Sequence, residues 1–466
     1  MLKSINPATG EVVGEVVNSR EQEVTAVVAK ARQALPAWKD TPYEERKKII
    51  LKVAEIARSR ADQLGKIITS EMGKPLSSGV GEVNGEAGDA EFFAENIDKW
   101  LKDDIIDIGN PDRINKVIFE PLGVIAAITP WNYPFSLPMG AIEQSILSGN
   151  TIVVKPSEYT PLIAVEVEKI FQQAGCPDGV VNILTGDKET GKLLVESDID
   201  LVFLTGSVSA GKSVAQNAGK NLKKVVLELG GCDPFIVCED ANLERAVNAA
   251  VWGRFGNCGQ ICCSTKRFYV HENLYDEFIK KFLEKTNTLQ VGDPLDPKTQ
   301  VGPLVSEIQR DRLEEQLKRA VGAGAKILLG GKRKEGTGNF FELTVLEIID
   351  NKNPAMQEEL FGPVASIMKF SSDEQAIQFA NDNKYGLAST IFSNDEEKAN
   401  TIAKQLATGT VWINNTIGIN AKCPWGGTKN SGMGRTNSKY GVLQLVNIKT
   451  IEVNKNKDKP KESYWF

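Results

Sequence analysis

A thiol and a carboxylate carry the most chemical information in this 466-residue chain. Cys262 lies in Gly-Asn-Cys-Gly-Gln-Ile-Cys-Cys, residues 256–263, and Glu228 lies 34 positions earlier in Leu-Glu-Leu-Gly-Gly. The sequence has one histidine, His271, so a cysteine nucleophile here is more simply served by a carboxylate than by an imidazole base. A thiol and a carboxylate among glycine-rich turns point to covalent chemistry on a carbonyl. Asn132 adds an amide in Pro-Trp-Asn-Tyr-Pro, residues 130–134. Such an amide can donate to a developing oxyanion, although asparagine is also ordinary in a proline-flanked turn.

Two further segments can meet a phosphate or a ribose. Gly206 and Gly211 lie in Phe-Leu-Thr-Gly-Ser-Val-Ser-Ala-Gly-Lys, after an apolar run and at the start of a helix-like stretch. Backbone N–H groups in that context bind anions. The spacing is not that of the Gly-x-Gly-x-x-Gly dinucleotide turn, and Gly206 to Ser213 also fits the P-loop pattern. No convincing strand-ending aspartate follows to complete a P-loop nucleotide site. Lys155-Pro156-Ser157-Glu158 ends another apolar run, where Lys155 can donate to a ribose or phosphate and Glu158 can accept from ribose hydroxyls.

The elements that must position these groups follow from periodicity. Residues 21–34, 43–69 and 83–102 have apolar positions at helical spacing. Residues 103–121 read as a hairpin about Gly109-Asn110-Pro111-Asp112. Short apolar runs at 124–128, 151–154, 180–184 and 201–204 then alternate with helix-like segments, as buried parallel strands with crossover helices do. A second such series begins near residue 234, with runs at 267–270, 326–329, 365–368 and 411–413. Residues 446–453 read as a terminal strand that pairs with the early hairpin or with a neighbouring subunit.

These motifs, taken in order, resemble the aldehyde dehydrogenase superfamily over nearly the whole chain. The matching pieces are Pro-Trp-Asn-Tyr-Pro at 130–134, Lys-Pro-Ser-Glu at 155–158, Thr-Gly-Ser-x3-Gly at 205–211 and Glu-Leu-Gly-Gly at 228–231. Gly-Gln-Ile-Cys at 259–262, Glu-Glu-Leu-Phe-Gly-Pro at 358–363 and Pro-Trp-Gly-Gly-x-Lys-x-Ser-Gly at 424–432 complete the series. Against so many collinear motifs the P-loop alternative is set aside.

The resemblance implies an α/β fold with a Rossmann-like cofactor domain, an α/β catalytic domain and a small β oligomerisation element. The expected boundaries are 1–102 with 122–230 for NAD(P) binding and 231–425 for catalysis. Residues 103–121 with 426–455 would form the oligomerisation element, and 456–466 a tail. Cys262 would be the nucleophile, Glu228 the general base and Asn132 the oxyanion donor, with Cys263 a bystander. Trp131, Lys155, Ser157, Glu158, Gly206, Ser207, Gly211, Leu229, Glu359 and Phe361 would contact the cofactor. Glu158 beside a ribose 2′-hydroxyl favours NAD, with NADP possible.

The expected reaction is NAD(P)-dependent oxidation of an aldehyde through a cysteine thiohemiacetal and thioester, hydrolysed by water. Succinic-semialdehyde relatives share Gly-Asp-Pro-Leu-Asp-Pro, but Gly140 and Gly256 stand where those relatives often carry carboxylate-binding arginines. Trp-Asn-Tyr-Pro-Phe-Ser-Leu-Pro-Met-Gly is similar to a branch acting on apolar aldehydes. An uncharged aliphatic or aromatic aldehyde is therefore the expected substrate. The alternatives are succinic semialdehyde, a CoA-acylating enzyme, or a non-enzymatic relative of the same fold.

Composition sets limits on the remaining classes. The 41% hydrophobic and 25% charged content is that of a globular chain of two or three domains. A net charge of −6 with scattered Lys and Arg argues against a nucleic-acid surface. The most apolar stretch, residues 124–139, is broken by Pro130, Pro134 and Pro138, so no membrane span is expected. Seven cysteines without an export signal imply reduced thiols and a cytoplasmic setting. Cys258 and Cys262 are spaced i, i+4 without further clustered ligands, so no metal is expected. A homodimer or homotetramer is expected from the exposed strand edges.

Overall fold

The computed structural model describes residues 1–455. The expected tail, residues 456–466, lies outside the described residues.

Two large sheets organise the molecule. The first has six strands in the order Gly432–Met433, Lys224–Glu228, Leu201–Thr205, Val124–Ile128, Thr151–Lys155, Val181–Ile183. All pairings are parallel except that of Gly432–Met433. From Val124–Ile128 the chain steps outward through Thr151–Lys155 to Val181–Ile183, then returns to Leu201–Thr205 on the opposite side. Such a reversal leaves a crevice at the carboxyl ends of the strands, where open α/β sheets bind ligands. The strands are buried on both faces, Ile125, Val153 and Val202 being fully so, which explains their continuous apolar runs.

The second sheet has seven strands in the order Lys326–Leu329, Thr344–Glu347, Val364–Phe370, Thr265–His271, Asp233–Val237, Ala388–Phe392, Thr410–Ile413. Lys326–Leu329 is an antiparallel, half-exposed edge rather than one of the buried parallel strands its apolar run suggests. A third, three-stranded sheet joins Val446–Asn454 to Arg113–Pro121 and Asp104–Ile106, antiparallel throughout. The terminal strand thus pairs with the early hairpin of its own chain. Ile105, Ile106, Ile448, Ile451 and Val453 leave this sheet with exposed apolar side chains.

The helical amino-terminal region differs from its periodicity in three places. Strands Leu2–Ile5 and Val12–Val16 precede the first helix. The 43–69 stretch is two helices, Tyr43–Ser59 and Ala61–Met72, broken at Arg60 (φ −111°, ψ 13°). Apolar spacing runs on across a one-residue break, so it gives no warning of it. The next helix begins at Leu76, not Val83, because Gly79 packs where a Cβ would lie 2.8 Å from the Gly65 carbonyl oxygen. A small-residue contact of this kind has no apolar signature.

Among the described residues no helix is long and apolar enough to cross a membrane. All seven cysteines are free thiols.

Candidate active site

Cys262 sits in a turn that the rest of the protein holds rigidly. Residues Asn257, Cys258 and Gly259 adopt left-handed φ values of 51°, 56° and 70°. At Gly259 a Cβ would lie 2.3 Å from the Gly362 carbonyl oxygen, so only glycine fits. The Gln260 side chain pegs the turn from below. Its Oε1 accepts from the Val305 N–H at 2.9 Å, and its Nε2 donates to the Pro303 carbonyl at 3.3 Å.

Two buried cations complete the clamp, and neither was anticipated from sequence. Arg254 donates to Ser264 Oγ at 2.6 Å, to the Leu360 carbonyl at 3.0 Å and to the Gly362 carbonyl. It thereby ties the cysteine turn to the Glu358–Pro363 segment. Lys266 donates to the carbonyls of Ile261, Cys262 and Ser264 at 3.1, 2.8 and 3.0 Å. A hydrogen bond from Cys263 draws the Cys262 thiol below its ordinary range, and the Lys266 charge lowers it further against the effect of burial. The same bond and burial push Cys263 upward, which leaves Cys262 as the sulfur that ionises. A Lys266→Met variant would strip three buried carbonyls of a donor, at roughly 1–3 kcal/mol each. It should lower the unfolding midpoint and move the pH dependence of Cys262 alkylation to higher pH; an unchanged alkylation profile would refute the electrostatic part of this account.

Asn132 faces the same turn. Its Nδ2 donates to the Gln260 carbonyl at 3.0 Å, and Asn257 Nδ2 donates to the Asn132 carbonyl at 3.1 Å. A primary amide has two N–H groups, so one remains for a ligand. The Cys262 backbone N–H has no acceptor among the described residues.

Glu228 ends the Lys224–Glu228 strand and is buried with both carboxylate oxygens unpartnered. Burial, then the nearby Cys262, pushes its carboxyl well above the ordinary range, against the pull of Arg435. The Gly432–Met433 strand pairs directly with this strand, and Ser431 Oγ donates to the Gly230 carbonyl at 2.7 Å. Gly426, with φ +146°, passes so close that a Cβ there would lie 2.7 Å from Glu228 Oε1. The 424–432 motif is therefore the wall behind this carboxylate.

Asn132, Glu228, Leu229 and Cys262 line one cavity of about 390 Å³. The remaining residues singled out from sequence lie around it rather than in it. Lys155 ends the Thr151–Lys155 strand and is almost fully buried, with Glu158 at 3.4 Å as its one ion-pair partner among the described residues. Burial lowers its ammonium below the usual lysine range. Ser157 is buried just beyond and accepts from the Tyr159 N–H at 3.3 Å. Glu158 borders a separate cleft of about 560 Å³ formed with residues 2–10, 305–310 and 336–339.

Ser207 is the N-cap of the Val208–Gly219 helix, its Oγ accepting from the Ala210 N–H at 3.2 Å. Gly206 donates to the Glu228 carbonyl at 2.9 Å, and a side chain at Gly211 would strike Leu229. From the second sheet's side, Glu359 Oε1 accepts from the Gly231 N–H at 3.1 Å, and Phe361 meets Trp131 edge-on at 5.5 Å. These features suit a dinucleotide. They include a helix N-terminus for a diphosphate, a buried ammonium with spare donors for a ribose, and an aromatic pair for a ring.

Known proteins resemble the chain along nearly its whole length. The profile of the aldehyde dehydrogenase family matches residues 1–451. The chain is 38% identical to a succinate-semialdehyde dehydrogenase [NADP(+)] of Deinococcus radiodurans, over 98% of this chain and 96% of that one. It is 37% identical to betaine aldehyde dehydrogenase of Bacillus subtilis, covering 99% and 95% respectively. Among solved structures, an NAD-dependent aldehyde dehydrogenase from Sinorhizobium meliloti superposes with a TM-score of 0.97 at 33% identity, covering 100% of this chain and 93% of that one. Betaine aldehyde dehydrogenase from Staphylococcus aureus, solved with NAD+, gives 0.96 at 34% identity, covering 100% and 95%. A family profile that spans residues 1–451, with relatives of 33–38% identity along essentially the whole chain, places the chain in the aldehyde dehydrogenase family, whose members oxidise aldehydes with a nicotinamide cofactor.

Proposed function

We propose that the protein oxidises an aldehyde lacking a negative tail to its carboxylic acid through a Cys262 thioester that Glu228 opens with water. The observation carrying this reading is the shared cavity, with Cys262, Glu228 and Asn132 on its wall. The Cys262 thiolate adds to the aldehyde carbon, and the oxygen becomes an alkoxide. The free Asn132 N–H and the Cys262 backbone N–H hold that charge. A nicotinamide cofactor, held by the residues named below, would supply the acceptor for the hydride released from that carbon. A thioester remains on Cys262. Glu228, whose oxygens have no other partner, removes a proton from water as it attacks the thioester, and the acid departs with the thiolate restored. The CoA-acylating alternative has no use for an unpartnered base beside the thiol, so turnover without CoA is expected.

Lys155 and Glu158 would hold the adenosine ribose, with Ser157 shaping their turn. Gly206, Ser207 and Gly211 would approach the diphosphate, and Leu229 would pack under it. Glu359, Phe361 and Trp131 would set the nicotinamide ribose and ring. The exposed Glu158 carboxylate accepts from a ribose 2′-hydroxyl and repels a 2′-phosphate. NAD should therefore exceed NADP in kcat/KM by roughly tenfold, about 1.4 kcal/mol; a clear NADP advantage in steady-state assays would reverse this assignment.

The division into a cofactor domain (1–102, 122–230) and a catalytic domain (231–425) is supported by the two separate large sheets; the three-stranded sheet supports an oligomerisation element from 103–121 and the end of 426–455, while Gly432–Met433 joins the first sheet instead. The exposed apolar side chains of the third sheet support a homodimer or homotetramer. A thiolate nucleophile suits a reducing compartment such as the cytoplasm. Gly140 and Gly256 offer no cation to a distal carboxylate, so butanal should outperform succinic semialdehyde in kcat/KM. A substrate panel headed by the semialdehyde would overturn that ranking.

A further inference from the structure

The cavity has an acidic wall that the chemistry above does not use. Glu82, Glu86 and Asp89 are spaced i, i+4, i+7 on the Leu76–Trp100 helix, and all three line the cavity. Glu143, on the facing Ser136–Leu147 helix, is fully buried and neither of its oxygens has a hydrogen-bond partner. Burial pushes the carboxyls of Glu86 and Glu143 well above the ordinary range; the charge of Asp89 adds to this at both, that of Glu82 at Glu86 and that of Glu86 at Glu143, while a hydrogen bond from Ser136 opposes it at Glu86. A buried carboxylate is normally paired or hydrogen-bonded, and these lack a counter-charge.

Glu82 is the exception. It accepts from the Lys74 ammonium at 2.6 Å and from the N–H groups of Phe135 and Ser136 at 2.9 and 3.0 Å. Lys74 is thereby consumed. No ion pair among the described residues reaches Glu86, Asp89 or Glu143. Nor do the described residues contain a group of three or more His, Cys, Asp or Glu side chains arranged to hold a metal ion.

The same helix face leaves room for an occupant. Gly81 and Gly85 border the cavity, and a Cβ on either would meet nothing within 4 Å. Glycine inside a helix costs about 0.5–1 kcal/mol relative to alanine, so two of them with free space in front keep the wall open at some expense. Gly140 faces Glu86 from the other helix, its Cβ position 3.3 Å from Glu86 Oε1. The remaining wall is largely aromatic, with Phe93, Tyr133, Phe203, Trp252 and Trp425.

From this geometry we infer that the preferred substrate is a short ω-ammonium aldehyde, its carbonyl at Cys262 and its primary ammonium against Glu86 and Asp89 with Glu143 behind them. The inference rests on the proposed oxidation at Cys262 and adds the charge and type of the substrate tail. A primary ammonium supplies a positive charge, which favours the ionised carboxylates that burial alone disfavours, and three N–H donors for their oxygens. A quaternary ammonium supplies the charge and can sit on the aromatic faces, but it leaves the acceptors without donors. An uncharged alkyl tail supplies neither, and a carboxylate tail is repelled.

Initial-rate assays on the full chain with NAD test this, using 3-aminopropanal against butanal, with 4-(trimethylammonio)butanal and succinic semialdehyde as further arms. 3-Aminopropanal should exceed butanal in kcat/KM by roughly tenfold or more, the range of a charge-assisted hydrogen bond. In Glu86→Gln and Asp89→Asn the ratio of the two should fall toward unity, chiefly through KM for the amine. Taking the ratio within one preparation cancels any loss of folded enzyme. Butanal turnover with no amine preference, or a preference that both variants retain, overturns the inference while leaving Cys262 chemistry intact. A preference for the trimethylammonium aldehyde over the primary amine overturns it in favour of an aromatic cage. If no aldehyde in the panel reduces NAD, the underlying reading fails instead.

Discussion

Replacing Cys262 with serine is expected to lower kcat/KM for every aldehyde by roughly 10⁴-fold or more, the scale of losing an enzyme's sole nucleophile. The sulfur is small in volume but decisive in acidity. In this turn the Cys263 hydrogen bond and Lys266 draw the Cys262 thiol downward, which favours the thiolate. A serine hydroxyl ionises far higher, and Glu228 is needed for a different proton. Cofactor binding should survive, because none of the cofactor groups contacts the sulfur in this account. NAD titration by fluorescence and aldehyde-dependent NADH formation separate the two effects. Parental NADH formation in the serine variant would remove the nucleophile from the account.

Replacing Glu228 with glutamine should leave the first half of the reaction and disable the second. The expected result is a burst of NADH approaching one equivalent per site, followed by a steady state slowed by roughly 10²–10⁴-fold, the usual range for a general base. The pH dependence carries the same signature. Burial and the proximity of Cys262 raise the Glu228 ionisation, and the base works only as the carboxylate. The steady-state rate of the parent enzyme should therefore climb as pH rises through that raised value. The glutamine variant, with nothing to ionise at this position, should lose that limb. Stopped-flow absorbance across a pH series reads both features. A variant with no burst would place Glu228 at the thiol-addition step instead.

Much of the site is legible in the sequence because its motifs are contiguous and each ends a strand or opens a helix. Asn132 follows the Val124–Ile128 strand, Ser207 caps the helix after Leu201–Thr205, and Glu228 ends its own strand. The parallel α/β rhythm puts all three at one end of a sheet, as the apolar runs predict. What the sequence hides are groups whose partners are backbone carbonyls assembled by the tertiary fold. Arg254 and Lys266 look like ordinary cations in a row of letters, yet both are fully buried and together they fix the cysteine turn. Arg60 and Gly79 mark a helix break and a helix start that apolar periodicity passes over.

The acidic wall lies between these extremes. The i, i+4, i+7 spacing of Glu82, Glu86 and Asp89 is visible in sequence and normally denotes a solvated helix face. Only the packing of Glu143 beneath them and the placement of Gly81 and Gly85 turn that face into a lining. The sequence-based expectation of an uncharged substrate came from two glycines at positions where relatives hold arginine. The wall gives a physical reason for disfavouring anionic tails and extends it to a preference for cationic ones.

The most direct test of the central claim is mass analysis of the Glu228→Gln enzyme quenched in acid after one turnover with NAD and butanal. The account predicts one butanoyl group per chain, mapped by proteolysis to Cys262 and absent from the neighbouring Cys263. A butanoyl group on any other side chain, or an unmodified chain accompanied by a full equivalent of NADH, would contradict it.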